Sequence, residues 1–248
     1  MMEEKKRMMT YAMFSRQGER ENNEDCIRMK EKKEASVFLL ADGLGGHGAG
    51  EVASQMTVAY GAELFEWSDS YEHYLTDLFE NGQKRLLELQ KVRHAAAQMK
   101  TTLTALIIAG NNAVWGHIGD SRLYLFEDGM LRKRTLDHSV PQMLVKSGEI
   151  SESDIRTHPD RNRLLRVMGS EWGRSSYDIS EKIRVRSGLS FLICSDGFWE
   201  YITEEWMEST LRSAKSAAHW LNMMEKIVVR NGQGNHMDNF SAIGVWIR

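Results

Sequence analysis

Two aspartates follow apolar runs of the sequence directly, and a glycine comes after each of them. Residues 37–41 lead into Asp42, and residues 191–195 lead into Asp196. Each run has the length and composition of a buried strand, so each predicts a carboxylate at the tip of a strand beside the core. The glycine would let another group approach the backbone closely. A carboxylate in such a place is costly unless it is paired or bound to a metal.

Further acids lie where predicted strands begin or meet. Asp238 precedes the apolar run 240–247, Asp120 lies at the junction of two neighbouring strands, and Glu24 and Asp25 follow Arg20 closely. Acids gathered without lysines would repel one another, and a hard divalent cation would relieve that repulsion. Oxygen ligands favour Mg²⁺ or Mn²⁺ over zinc. The pattern therefore favours a metal site.

An ordinary surface turn is the alternative for any Asp-Gly pair. Asp128-Gly129 is of that kind, because it separates two short strands and favours a tight hairpin with positive φ at both residues. The runs before Asp42 and Asp196 differ from it, since they are wholly apolar.

The elements that must position these acids alternate between short strands and long helices. Helical spacing predicts helices over 50–66 and 71–97 and from Ala214 to Val228, with Gly232 as a C-cap and shorter helices starting at Thr203 and Ser151. Strand composition marks residues 37–41, 103–109, 113–118, 123–126, 189–194 and 240–247. Short turns between strands imply antiparallel sheets, and the long helices imply an α+β fold in which they cover the sheet faces.

Composition excludes several classes of protein. The 248 residues carry a formal charge of −3, which gives no support to nucleic-acid or membrane-surface binding. Cys26 and Cys194 are too few for a disulfide framework or a cysteine zinc site, so we expect them to be small core residues. No apolar stretch approaches the ~20 residues of a membrane helix, and no signal peptide is recognisable. We expect a cytoplasmic protein.

Taken in chain order, these segments resemble the metal-dependent Ser/Thr protein phosphatases known as PP2C or PPM, specifically their bacterial branch. The resemblance spans residues 18 to 247 and is specific as a set, although each motif alone is weak. The matching segments are Arg20-x-x-Asn23-Glu24-Asp25, Asp42-Gly43-Leu44-Gly45-Gly46-His47-x-x-Gly50-Glu51-x-Ala53-Ser54, Thr101-Thr102, Gly119-Asp120-Ser121-Arg122-x-Tyr124, Asp137-His138-Ser139, His158-Pro159-x-Arg161-Asn162-x-Leu164-x-Arg166-x-x-Gly169, Ser195-Asp196-Gly197 and Asp238-Asn239-Phe240-Ser241.

The resemblance implies a fold and a set of ligands. The fold is α+β, a four-layer sandwich of two antiparallel β-sheets flanked by antiparallel helix pairs, in one domain over 1–248 with a flap at about 144–169. A binuclear Mn²⁺ or Mg²⁺ centre would be held by Asp42, the carbonyl of Gly43, Asp196 and Asp238. Glu24 or Asp25 would act through bound water, Asp120 with Asp196 would hold a third, weaker ion, and Arg20 would bind the substrate phosphate.

The activity implied is hydrolysis of phosphoserine and phosphothreonine in proteins, by attack of a hydroxide that bridges two metal ions. Such an enzyme would oppose a Ser/Thr kinase. We expect a monomer without nucleic-acid or membrane partners. One departure concerns the proton donor, because Leu44 stands where many eukaryotic relatives have histidine. We do not transfer that role to His47, which lies three residues further on.

Two alternatives remain open at this point. A pseudophosphatase would bind phosphoproteins without turnover, although all the core acids are present. The glycines of Gly43-x-Gly45-x-x-Gly48 also match a dinucleotide fingerprint, but Asp42 would face the pyrophosphate and no acid-tipped strand follows about 20 residues later. In the predicted flap, Arg156, Arg161, Arg163 and Arg166 could steer substrate or form internal pairs.

Overall fold

Two antiparallel β-sheets and six α-helices make up the computed structural model, which describes residues 9–33, 35–45, 48–68, 70–95, 98–173 and 176–248. The strands are β1 (Met9–Arg16), β2 (Asp25–Lys32), β3 (Ala35–Leu44), β4 (Lys100–Thr101), β5 (Leu103–Ala109), β6 (Asn112–Ile118), β7 (Arg122–Glu127), β8 (Met130–Arg134), β9 (Asp178–Ile179), β10 (Ile183–Arg184), β11 (Leu189–Cys194) and β12 (Phe240–Ile247). The helices are α1 (Ala49–Trp67), α2 (Tyr74–Arg93), α3 (Val140–Ser147), α4 (Asp196–Trp199), α5 (Glu204–Ser213) and α6 (Ala217–Gly232), with a 3₁₀ helix at Glu152–Thr157.

The strands pair in two sheets. The first has the order β1-β12-β11-β7-β8, and the second has β10-β6-β5-β3-β2, with β4 pairing with β3 and β9 with β6. Every pairing between the described strands is antiparallel. A dinucleotide fingerprint needs a parallel βαβ unit, so this fold gives that alternative no support.

Three hydrophobic cores separate four layers. On β3, Val37 and Leu39 pack against α1 and α2, whereas Phe38 and Leu40 face the other sheet. The outer face of the five-stranded sheet, which includes Leu192, packs against α4 to α6. Because side chains alternate between the two faces of a strand, a strand covered on both faces reads as a continuous apolar run. The four-layer α+β sandwich expected from the sequence is confirmed.

All six predicted strands are present, and the hairpin turn has φ of 51° at Asp128 and 79° at Gly129. The helix boundaries need correction. The helix predicted at 71–97 begins at Tyr74 and ends at Arg93. The spacing that begins at Ala214 is interrupted, because α5 ends at Ser213 and α6 starts after Ser216, whose side chain accepts a hydrogen bond from His219 N–H.

Three smaller expectations can also be compared with the structure. Gly232 is the last residue of α6, and Gln233 rather than the glycine is its C-cap. Cys194 is buried in the core beneath α4 to α6, and Cys26 is half-buried against the core beneath α1 and α2. Among the described residues, none of the helices is both long and apolar enough to cross a membrane.

Candidate active site

A cavity of about 440 Å³ opens at the end of the sandwich where β3 and β11 deliver their acids. The residues that line it are Arg20, Glu21, Asn22, Glu24, Asp42, Gly43, Leu44, Gly45, Gly48, Asp120, Asn162, Leu164, Asp196, Asp238 and Asn239. Seven of the eight site residues predicted from the sequence are therefore brought together. The eighth, Asp25, is buried on the neighbouring strand opposite Asp42, which lines the cavity.

Asp42 is held by two adjacent threonines, Thr101 at the end of β4 and Thr102 directly after it. Its N–H donates to Thr102 Oγ1 at 2.9 Å, and its carbonyl accepts from Thr101 Oγ1 at 2.8 Å. A Cβ built on Gly43 would lie 2.3 Å from the carbonyl oxygen of Gly50, at the start of α1. The glycine is therefore required, because it lets α1 pack against the strand tip and leaves the Gly43 backbone at the cavity wall.

Asp25 is buried with one carboxylate oxygen unsatisfied. It lies on the edge strand β2 directly opposite Asp42. Its Oδ2 accepts a hydrogen bond from Ser195 Oγ at 2.8 Å, whereas its Oδ1 is buried without a partner. A buried carboxylate oxygen that no protein donor reaches is costly. It is the kind of group that an oxygen-liganded cation or its bound water would satisfy, so the residues present fit a divalent metal.

Asp196 and Asp238 come from two loops that touch. Asp196 begins α4 and accepts the N–H of Gly197 at 2.6 Å, and Asp238 accepts the N–H of Asn239 at 2.8 Å. A Cβ on Gly197 would lie 2.3 Å from the carbonyl oxygen of Asn239. Each backbone contact occupies one carboxylate oxygen and fixes the direction of the other.

Asp120 enters the cavity from the turn between β6 and β7. The residue is 4% exposed, and its carbonyl accepts a hydrogen bond from Trp199 Nε1 at 3.0 Å. The guanidinium of Arg122 lies 3.5 Å above the ring of Trp199 and forms a bidentate pair with Asp137. A buried charged network thus supports the turn that carries the acid.

Burial and mutual repulsion raise the pKa values of these acids. Burial and then Asp196 raise the pKa of Asp42 well above its usual range, and burial and then Asp196 do the same for Asp120. Burial raises the pKa of Asp25 to about 7, and burial together with Asp238 raises that of Asp196 to about 6. Like charges held this close favour protonation, and a divalent cation would reverse that preference.

These shifts predict that the metal-free protein loses stability as pH rises from about 6.5 to 8. In the unfolded chain the aspartates are already ionised, at a pKa of about 3.9. In the folded chain Asp25, with a pKa of about 7, still releases its proton over this range, and burial and then Asp196 shift the pKa of Asp42 in the same direction. The folded state binds more protons, so its free energy of unfolding falls with pH.

Chemical denaturation in EDTA at several pH values measures how steeply the free energy of unfolding falls with pH. Asp25→Asn should flatten this slope, and saturating Mn²⁺ should remove it, since the cation favours the ionised carboxylates. A slope of the opposite sign in the metal-free protein would contradict this account of the acids.

Arg20 lies at the cavity rim on a loop that is tied to the strand β12. The side-chain amide of Asn239 donates to the carbonyls of Gln17 and Asn22, and its Oδ1 accepts from Glu24 N–H. Arg20 Nη2 lies 2.6 Å from Asp238 Oδ2, and both side chains are partly exposed. The guanidinium is therefore held beside the acids, where an incoming anion can reach it.

The predicted flap contributes Asn162 and Leu164 to the cavity wall. Two of its four arginines form internal pairs, since Arg156 binds Glu204 at 2.7 Å and Arg161 binds Glu200 at 2.9 Å. Arg163 and Arg166 have exposed side chains. His47, whose role the sequence left open, lies outside the described residues.

The sequence reasoning did not assign a role to several residues that hold the acids. They are Ser195, which donates to Asp25, the threonines beneath Asp42, Asn239 on the Arg20 loop, and Trp199 beside Asp120. All but Trp199 lie within the motifs quoted above, and Ser195 and Asn239 are directly beside a predicted ligand. Adjacency to the acids was the available signal, but which neighbour points inward depends on the fold.

Comparisons with known proteins agree with this geometry. Residues 15–233 match the family described as protein phosphatase 2C. The serine/threonine phosphatase stp of Listeria innocua is 35% identical over 233 residues, covering 90% of each chain. The structure of the serine/threonine phosphatase PstP/Ppp of Mycobacterium tuberculosis superposes with a TM-score of 0.83 at 31% identity, covering 96% of this chain and 97% of that one.

A second structure, the catalytic domain of PstP in complex with two manganese ions, has a TM-score of 0.82 at 29% identity and covers 96% of this chain and 98% of that chain. The family match covers most of the chain, and the similarity to bacterial relatives extends over nearly its whole length. The resemblance inferred from the motifs is thereby confirmed: the chain belongs to the protein phosphatase 2C family, among its bacterial serine/threonine phosphatases.

Proposed function

We propose that this chain is a metal-dependent protein serine/threonine phosphatase whose reaction takes place in the 440 Å³ cavity. One observation carries the proposal. Acids from both sheets converge on a single cavity with an arginine at its rim, and Asp25 beneath them keeps a buried oxygen without a partner. Family membership and the names of the bacterial relatives support the same activity.

In this proposal Asp42, the carbonyl of Gly43, Asp196 and Asp238 hold two Mn²⁺ or Mg²⁺ ions. Glu24 or Asp25 acts through bound water, and Asp120 with Asp196 holds a third, weaker ion. When bound, the ions supply Lewis acidity that lowers the pKa of water towards neutrality. The support is the donor set, which is rich in carboxylate oxygens and, among the described residues of the cavity wall, contains no thiol or imidazole.

The protein's own residues orient the substrate. Arg20 presents a planar guanidinium whose parallel N–H groups match two phosphate oxygens. An incoming phosphate competes with Asp238 for this group, and the competition is favourable once a cation neutralises the carboxylate. Asn162 and Leu164 of the flap, proposed at about 144–169, line the cavity and would contact a bound peptide.

The physiological setting is part of the same proposal. The substrates are proteins phosphorylated on serine or threonine, and the chain opposes a Ser/Thr kinase. We propose a monomeric, cytoplasmic enzyme built as one domain over 1–248. The near balance of charge gives no support to a nucleic-acid or membrane-surface partner.

Peptides phosphorylated on serine, threonine and tyrosine test the activity and separate an enzyme from a phosphoprotein binder. We expect phosphate release from the serine and threonine peptides with Mn²⁺, and little from the tyrosine peptide. A pseudophosphatase would bind the peptides, as measured by fluorescence anisotropy, without release in any divalent metal. That result would exclude catalysis and retain only the binding function.

Replacing Arg20 with alanine should mainly weaken substrate binding. Loss of a charge-assisted hydrogen bond of about 1.5–3 kcal/mol predicts a KM higher by about 10- to 150-fold. The KM of Arg20→Lys should fall between those of the wild type and Arg20→Ala, because lysine keeps the charge but not the planar pair of donors. Steady-state kinetics measures KM, with Arg16→Ala as a control because Arg16 pairs with Glu225 and does not line the cavity. An unchanged KM in Arg20→Ala would remove Arg20 from the site.

A further inference from the structure

A histidine outside the cavity holds the turn that carries Asp120. The backbone N–H of His138 donates to the carbonyl of Gly119 at 2.9 Å, and Gly119 N–H donates to His138 Nδ1 at 3.2 Å. Both polar groups of Gly119 are therefore bound by one residue. Gly119 has a φ of +100°, and a Cβ there would lie 2.5 Å from the Thr102 side chain. The residue before Asp120 is thus fixed in a conformation that favours glycine.

The other ring nitrogen of His138 is held by an acid. His138 Nε2 lies 3.0 Å from Asp178 Oδ2. Because Nδ1 accepts the Gly119 N–H, the ring proton of the neutral imidazole is on Nε2 and donates to Asp178. The strand β9 places Asp178 opposite His117, whose ring stacks on that of His138 with centroids 4.6 Å apart. The ring of His138 is therefore fixed in both position and tautomer.

His117, His138 and Asp178 bring three atoms that can ligate metals within 4.8 Å of one another. Their hydrogen bonds argue against a cation there. A metal on His138 Nε2 would move the ring proton to Nδ1, where it would face the Gly119 N–H. His117 Nε2 lies 2.9 Å from the carbonyl of Leu136, so the ring proton of His117 is also on Nε2. The cluster serves hydrogen bonding rather than metal binding.

We propose that His138 and Asp178 are positioning residues that orient Asp120 and thereby set the affinity for the weakest divalent ion. The inference rests on the proposed function, because it takes Asp120 as a ligand. Trp199 holds the Asp120 carbonyl at 3.0 Å, so the turn is bound through Gly119 on one side and through Asp120 on the other. Groups that orient a ligand in this way change metal affinity about 10- to 100-fold when they are removed.

Two substitutions of His138 separate the two ring nitrogens. In His138→Asn the amide oxygen can take the place of Nδ1 and still accept from Gly119, but the side chain cannot reach Asp178. In His138→Gln the amide reaches towards Asp178 but leaves the Gly119 N–H without an acceptor. Asp178→Ala removes the acid, with Glu181→Ala as its control, because Glu181 is an exposed acid shortly after β9.

Two readouts do not depend on activity: NMR exchange of the Gly119 amide in the metal-free protein, and Mn²⁺ binding by calorimetry. His138→Gln should speed amide exchange at least about tenfold and weaken the weakest Mn²⁺ site about tenfold. His138→Asn should stay within about threefold of the wild type in amide exchange and in Mn²⁺ affinity. Asp178→Ala should give values between those of His138→Asn and His138→Gln. Glu181→Ala should match the wild type.

Equal losses in His138→Asn and His138→Gln would overturn the proposal, because they would indicate general packing rather than the Gly119 hydrogen bond. Wild-type Mn²⁺ affinity in His138→Gln would also overturn it. Asp120→Asn distinguishes this failure from a failure of the proposed function. If Asp120→Asn abolishes the weakest site while His138→Gln leaves it intact, only the positioning role is wrong. If Asp120→Asn leaves the weakest site intact, Asp120 is not a ligand. In that case the positioning role of His138 and the assignment of Asp120 in the proposed function are both wrong.

Discussion

Asp42→Asn should reduce phosphatase turnover by at least about 10³-fold, equivalent to about 4 kcal/mol of transition-state stabilisation. In our proposal this carboxylate binds the two ions and lies at the centre of the acid cluster. The same substitution should stabilise the metal-free protein. Burial and then the neighbouring acids Asp196, Asp25 and Asp120 oppose the ionisation of Asp42, and a neutral amide avoids the cost of burying or protonating this carboxylate. The melting temperature in EDTA should rise by about 2–4 °C per kcal/mol relieved.

The opposite signs of these two effects are diagnostic. A residue needed only for folding would lower both activity and stability. Asp128→Asn is the matched control, because asparagine tolerates the positive φ of that turn and Asp128 does not line the cavity. We expect this control to retain wild-type turnover. If Asp42→Asn kept full turnover, or lost stability in EDTA, the assignment of Asp42 as a ligand in a repulsive acid cluster would be wrong.

Asp137→Asn should destabilise the fold by about 3–5 kcal/mol, the usual result of removing one partner of a buried ion pair. Arg122 is 2% exposed and donates to both carboxylate oxygens of Asp137, at 2.8 and 2.7 Å. The substitution removes the negative charge and keeps Arg122 buried between its remaining partners. Chemical denaturation measures the free energy of unfolding directly.

Glu225→Gln provides the comparison for Asp137→Asn. It breaks the Arg16–Glu225 pair, in which the arginine side chain is half exposed, and should cost at most about 1 kcal/mol. Activity should also fall in Asp137→Asn, because Arg122 packs on Trp199 and Trp199 binds the Asp120 carbonyl. Similar losses of stability in the two variants would contradict the view that the buried pair supports this turn.

The central strands and the acids at their tips were predictable from the sequence, whereas the edge strands were not. β3 and β11 are buried on both faces, so their composition is continuously apolar and their ends are marked by Asp-Gly. β1 and β2 lie at sheet edges and mix polar with apolar residues, which obscures the strand pattern. The burial of Asp25 follows from its position on β2 opposite Asp42. The pattern of residues around Asp25 does not indicate which residue of β3 it will face, so its burial could not be predicted from the sequence.

Supporting contacts depend on parts of the chain that are far apart, and they were not predictable for that reason. Asn239 binds the loop of Arg20 across more than 200 residues of sequence. His138 reaches Asp178 only because a two-residue strand pairs with β6. The break between α5 and α6 was hidden for a different reason, since alanines on both sides of Ser216 continue a helical spacing.

A titration of the metal-stripped protein with Mn²⁺ tests the central claim most directly. Bound Mn²⁺ is counted while phosphate release from a phosphothreonine peptide is measured in the same samples. Our account predicts no release without metal and the appearance of release as about two ions bind per chain, in keeping with a two-metal site. Release at full rate in EDTA, or two bound ions without any release, would contradict it.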